Sequence, residues 1–140
     1  MKSGRERGSA MIEFAGALIL LSAMFTGIFQ IGYTFFTYST MVNAVRSGAR
    51  YASLRVAGGS ASDPELAKSV ANMVVYGEPQ PATNARPVVR GLAANNVELI
   101  LGPSTTTVSV RDFEIDALFT KIKLAGRPTV TFPIPNGGSK

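Results

Sequence analysis

Gly8-Ser9-Ala10-Met11-Ile12-Glu13-Phe14 runs straight into an apolar segment that ends near Phe36, and this stretch decides how the chain is read. Phe14 to Phe36 are 23 residues without a charge, and the next charged residue is Arg46. A helix of that length rises ~34 Å, enough to cross a bilayer, which takes ~20 predominantly apolar residues. A buried core helix this long would need more globular chain around it than the other residues supply. A secretory signal has an apolar region of only ~7–15 residues and then a small-x-small cleavage site, which does not follow in this chain. Residues 1–8 carry Lys2, Arg5 and Arg7, and no comparable cluster stands immediately past Phe36. That asymmetry places the N-terminus in the cytoplasm and the rest outside it, although Arg46, Arg50 and Arg55 soften the contrast.

Glu13 is the residue this scheme must account for. A carboxylate in an apolar span costs a few kcal/mol on insertion scales, least near the interface, and marks a functional position. The bland reading is that Glu13 snorkels to the cytoplasmic headgroups beside Arg7. The sharper one rests on spacing: Gly8, four small or apolar residues, then the acid, all just ahead of the span.

The rest of the composition removes chemistry. The chain has 140 residues, 46% of them hydrophobic, with no cysteine and no histidine. A disulfide framework, a thiolate metal site and the commonest general base are therefore missing. The net charge is +5, but Lys and Arg are scattered, without the aromatic-interleaved stripe of a nucleic-acid face. No phosphate loop, dinucleotide fingerprint or nucleophile elbow is present, and no cofactor is implied. Asp112, Glu114 and Asp116 alternate, so in one strand they would share a face; a solvated acidic face is the simpler reading than a cation site. A membrane-tethered hydrolase using those three acids is the least favoured reading.

Beyond the span the helix continues. Tyr38, Met41, Val42, Val45, Ala49, Ala52 and Val56 recur at steps of three and four, giving an apolar stripe for packing on the protein's own globular part. Ala44, Gly48 and Ala52 form a small-residue ridge that admits another backbone, and Ala23 with Gly27 makes a similar pair inside the span. Arg46 and Arg50, one turn apart, repel unless they meet acids or lipid phosphates; they are either solvated or partner contacts. Gly58 to Ser62 ends the helix in a flexible joint. Asp63-Pro64-Glu65 opens a second helix with Leu66, Val70, Met73 and Val74 inward and Gly77 as its stop. Three prolines make Glu78 to Pro87 an irregular loop. Val97 to Leu101 and Thr105 to Ile115 read as a hairpin about Gly102-Pro103-Ser104. Asp116 to Leu124 is ambiguous: Asp116 could cap a short helix with Leu118, Ile122 and Ala125 inward, while Lys121 to Leu124 alternates like a strand, and a short helix or irregular turn is preferred. Val130, Phe132 and Ile134 form an edge strand beside Pro133, and Asn136 to Lys140 reads as a frayed tail.

The basic leader, Gly8, Glu13-Phe14 and the following span resemble the class III signal peptide of type IV pilin-like proteins. Glu13-Phe14-Ala15, Gly32-Tyr33 and above all Asn43-Ala44-Val45-Arg46-Ser47-Gly48-Ala49-Arg50-Tyr51-Ala52 narrow the resemblance to TadE-like proteins, pseudopilins or minor pilins of the tight-adherence (Tad/Flp) pilus. The resemblance covers roughly residues 8–55, and it departs from the family at Gln30, where an acid is common. It implies cutting by a prepilin peptidase after Gly8, where a side chain would obstruct the enzyme, giving Ser9 a new amine. Glu13, with Phe14 beside it, would then pair with the amine of a neighbouring subunit and set axial register.

The expected architecture is α+β: a basic leader (1–8), a transmembrane helix (9–36), its extension (37–57) packed on a small three-stranded antiparallel sheet, and an extracytoplasmic domain (58–140), the general pilin plan. The expected partners are prepilin peptidase, other pilin or pseudopilin subunits, inner-membrane assembly machinery and lipid. The place is the bacterial inner membrane, single pass, with entry into a pilus left open. The alternative is an uncleaved, membrane-anchored scaffold of a secretion or envelope complex.

Overall fold

The computed structural model describes the backbone of residues 3–61, 63–117, 120–123 and 128–135, and side chains from residue 8 onward except at 116, 117, 120 and 123. The chain divides into two units, residues 1–35 and 36–140. One helix, α1 (Ser3–Ala57), supplies the whole described part of the first and opens the second. The polar residues 3–8 are helical too, although composition alone suggests no helix there.

In the first unit every described side chain through Phe29 is exposed, large apolar ones included: Ile12, Phe14, Leu21, Phe25 and Ile28 are among them. α1 is the one helix among the described residues long and apolar enough to cross a membrane, and none of its most apolar window is buried.

The second unit is built on the other end of α1. Met41, Val45, Ala49 and Ala52 are completely buried, as the stripe requires. Gly48 lies on the neighbouring face, and a Cβ there would run into Val74 Cγ2. The helix ends through paired bonds, Gly59 N–H to Val56 O and Ser60 N–H to Arg55 O, both 3.0 Å. Gly59 makes this close possible at φ +91, so the joint expected after Ala57 begins as a hydrogen-bonded cap.

The second helix, α2 (Leu66–Tyr76), buries Leu66, Val70, Ala71, Val74 and Val75. The expected Met73 is only half-buried, while Ala71 and Val75 complete the inward face. Asp63 does not cap the helix itself: its carboxylate accepts the Glu65 N–H at 2.9 Å in the turn before it. Gly77 stops α2 at φ +80, its N–H bonded to Met73 O at 3.0 Å. The irregular segment that follows returns to α2 through Val88 N–H on Val75 O, 2.7 Å, and sends Val89 and Leu92 into the core.

A three-stranded antiparallel sheet, β1 (Val97–Leu101), β2 (Thr105–Val110) and β5 (Thr129–Pro133), has β2 in the middle. Leu99 is opposite Val108, and Val108 is opposite Val130, so one apolar face meets the helices. The other face is polar: Thr107 and Thr131 share a hydroxyl contact of 2.9 Å, and Arg111 pairs with Glu98. Pro133 sits on the edge strand, where its missing N–H costs no ladder bond. Ser53 on α1 donates to Pro133 O at 2.7 Å and ties helix to sheet.

Two expectations fail in the segment between. The strand through Ile115 breaks at Arg111–Phe113, where Asp112 takes φ +50. Asn96 enforces the break, its amide donating to the carbonyls of Arg111 (3.1 Å) and Asp112 (3.3 Å). The described residues between Asp116 and Leu124 are strand, not helix: β3 (Glu114–Ala117) and β4 (Thr120–Lys123) form a second, two-stranded antiparallel sheet. Ile115 lies opposite Ile122, and Glu114 opposite Lys123, so cross-strand pairing wins over capping by Asp116. Leu118, Leu124, Ala125 and the tail from Asn136 lie outside the described residues.

Candidate functional site

The N-terminal constellation sits on the first turns of the exposed part of α1. Ser9 and Glu13 are one helical turn apart, and the Ser9 hydroxyl donates weakly to Glu13 Oε1 at 3.5 Å. Both are exposed, as is Phe14. Gly8 is exposed and a Cβ built there would meet nothing within 4 Å. Among the described residues nothing therefore demands glycine at position 8, in contrast to Gly48.

The other singled-out residues separate by unit. Ala23 and Gly27 are exposed, with open space at Gly27. Gly48 and Ala52 are buried and Ala44 half-buried, their ridge turned to the protein's own core, with Val74 of α2 over Gly48. Arg46 and Arg50 are exposed on the opposite face of α1. Asp112, Glu114 and Asp116 do not share one strand face, because Asp112 stands in the turn before β3. Among the described residues no group of three or more acids could hold a metal ion.

Some positions that matter carried no local signal. Asn96 looks like any turn residue, and only the fold brings the Arg111 and Asp112 carbonyls to it. Val74 was legible as apolar but not as the side chain that fills the space over Gly48.

Fold and site together define a class: a small α+β protein bearing a long, exposed apolar helix suited to membrane anchoring. More narrowly, residues 8–50 match the model of the TadE-like protein family, so this segment is similar to TadE-like proteins. The match starts at Gly8 and ends at Arg50, so residues 1–7 and most of the second unit lie outside it. No curated protein and no solved structure matches the chain. The family is structural and implies contacts among pilus subunits in general.

Proposed function

We propose that the chain is a pseudopilin or minor pilin of a Tad-type pilus, cut after Gly8 by a prepilin peptidase. In this reading residues 1–8 are a cytoplasmic leader, residues 9–36 span the inner membrane, and residues 58–140 form an extracytoplasmic domain. The observation that carries it is the family match beginning at Gly8, the residue after which the cut would fall. The open space around Gly8 supports it, since a glycine with no role inside the chain suits an enzyme that must approach the backbone.

Cutting creates an ammonium at Ser9 one turn from Glu13. In lipid each charge alone costs several kcal/mol, and pairing offsets much of it. The Ser9–Glu13 spacing lets one chain hold that pair by itself until a neighbour's amine takes over Glu13 and fixes register. A folded domain of this size fits a minor component better than a short, nearly all-helical major subunit.

N-terminal sequencing of the protein recovered from membranes tests the proposal. A mature chain beginning at Ser9 supports it. A chain still beginning at Met1 leaves the uncleaved anchor as the better reading.

A further inference from the structure

α1 runs without a break from Ser3 through Gly8 and Ser9 to Ala57. In a helix each N–H bonds the carbonyl four residues back, so Arg5 O holds the Ser9 N–H and the Ile12 N–H holds the Gly8 carbonyl. The Gly8–Ser9 bond is thus wound into the helix, and a peptidase cuts chain that has opened. The residues before this bond are suited to opening. Gly4 and Gly8 stand one turn apart, and glycine is among the poorest helix formers. Packing does not account for Gly8: a Cβ there would meet nothing within 4 Å, and alanine would hold the helix better. From Ser9 the sequence changes character. Ser is a preferred N-cap, Ala10, Met11 and Ala15 are strong helix formers, and the acid Glu13 suits the positive end of a helix dipole. In the wound form the Ser9 hydroxyl makes only a weak contact with Glu13, at 3.5 Å, so capping would cost it little.

We propose that residues 3–8 are a gate on processing: they unwind from the N-terminal end, the unwinding stops at Ser9, which caps the shortened helix, and only this opened form is cut. The proposal rests on the pilin reading above. An N-cap residue leaves the helical conformation and its own N–H makes no helix bond, so opening ends with the Gly8–Ser9 bond free and the rest of α1 intact. Unwinding further would strip backbone groups of their partners inside lipid, which offers no replacements. Hydrolysis then breaks the Gly8 C–Ser9 N bond, water supplying the hydroxyl of the new Gly8 carboxyl and a proton to the Ser9 nitrogen. The rate follows the open fraction, because a chain that binds in one conformation has its apparent affinity scaled by the population of that conformation.

The test compares Glu6→Ala with Glu6→Gly in the full chain, reconstituted in bilayers with a prepilin peptidase, with loss of residues 1–8 followed by mass spectrometry well below saturation. The two variants lack the same charge and differ in helix stability. The Gly variant is cut about fivefold faster, the factor equivalent to the ~1 kcal/mol between Gly and Ala in a helix. Without enzyme, its Ser9 amide exchanges faster by the same factor. Gly4→Ala slows the parent about threefold. Ala23→Gly, about four turns past Ser9, leaves the rate unchanged. Equal rates for the two Glu6 variants, or faster cutting of the Ala one, overturn the gate, since the enzyme would then take these residues wound or read their side chains. An effect of Ala23→Gly as large as that of Glu6→Gly also overturns it, because the opening would not be confined to the first turns. A parent chain that stays uncut defeats the pilin reading itself. A parent that is cut at a rate blind to the Gly–Ala contrast defeats the gate alone.

Discussion

The two ends of α1 are one unbroken helix that solves two different burial problems. From Gly8 through Phe29 every side chain is exposed, large apolar ones included. From Phe36 on, an inward stripe is buried and the opposite face carries Asn43, Arg46, Ser47 and Arg50. A helix apolar all round needs an apolar surrounding, whereas an amphipathic one brings its own partner. Glycine shows the contrast at single positions. At Gly8, Gly16, Gly27 and Gly32 a Cβ would meet nothing within 4 Å; at Gly48 it would collide with Val74. The first group serves something outside the chain or nothing, and Gly48 serves the fold.

The largest effect should come from Gly8→Ala. If the glycine exists for the peptidase, one added methyl displaces the scissile bond, and a misplacement of that kind costs about a hundredfold in rate. Gly27→Ala should be cut at the normal rate. Pulse-chase labelling of the two variants measures both, and equal processing would mean that Gly8 does not exist for the peptidase. Glu13→Ala, in turn, should be cut normally but fail to assemble, because only the register contact is lost; normal filament or complex recovery from that variant would break the pairing mechanism.

Next in size is Gly48→Leu. Overpacking a filled core site costs about 3 kcal/mol, of which helix propensity returns ~1 kcal/mol. Amide exchange in the β1–β2 hairpin should accelerate accordingly. Gly27→Leu should leave the same amides within ~0.5 kcal/mol, the range for substitutions that touch nothing. A similar loss in both variants would mean that the two ends of α1 do not differ in what covers them. Val74→Ala alone costs about 2 kcal/mol, and adding Gly48→Ala to it should recover part of that, because each residue fills the space the other vacates.

How much of this was legible follows from the range over which each signal acts. The span, the stripe from Met41 to Ala52 and the stop at Gly77 are local periodicities or single special residues, and they are visible in sequence. β1, β2 and the proline-bearing edge strand were legible for the same reason. The β3–β4 hairpin was not, because Asp116 resembles a cap and the pairing of Ile115 with Ile122 cannot be seen until the chain has turned. The break at Asp112 depends on Asn96, sixteen residues earlier, and no window short enough to show periodicity contains both. At the candidate site Gly8, Ser9 and Glu13 were readable because their relation is a spacing along one helix.

The smallest effects come from two buried hydroxyls in the second unit. Ser53, 3% exposed, donates to Pro133 O at 2.7 Å, while Thr106, 0% exposed, has no partner for its Oγ1 among the described residues. Ser53→Ala should cost about 1 kcal/mol, the net worth of one hydrogen bond, because the exposed Pro133 lets its carbonyl turn to water. Thr106→Val keeps the shape and removes an unsatisfied group, so it should stabilise by about 1 kcal/mol, the lower end of the penalty for burying one. The signs are opposite because two residues of similar polarity and similar burial differ in whether the fold brings an acceptor. Urea titration of the full chain in detergent, followed by Tyr fluorescence, reads both shifts. If Thr106→Val destabilises, the hydroxyl has a partner after all, and the core face of β2 is not a dry surface.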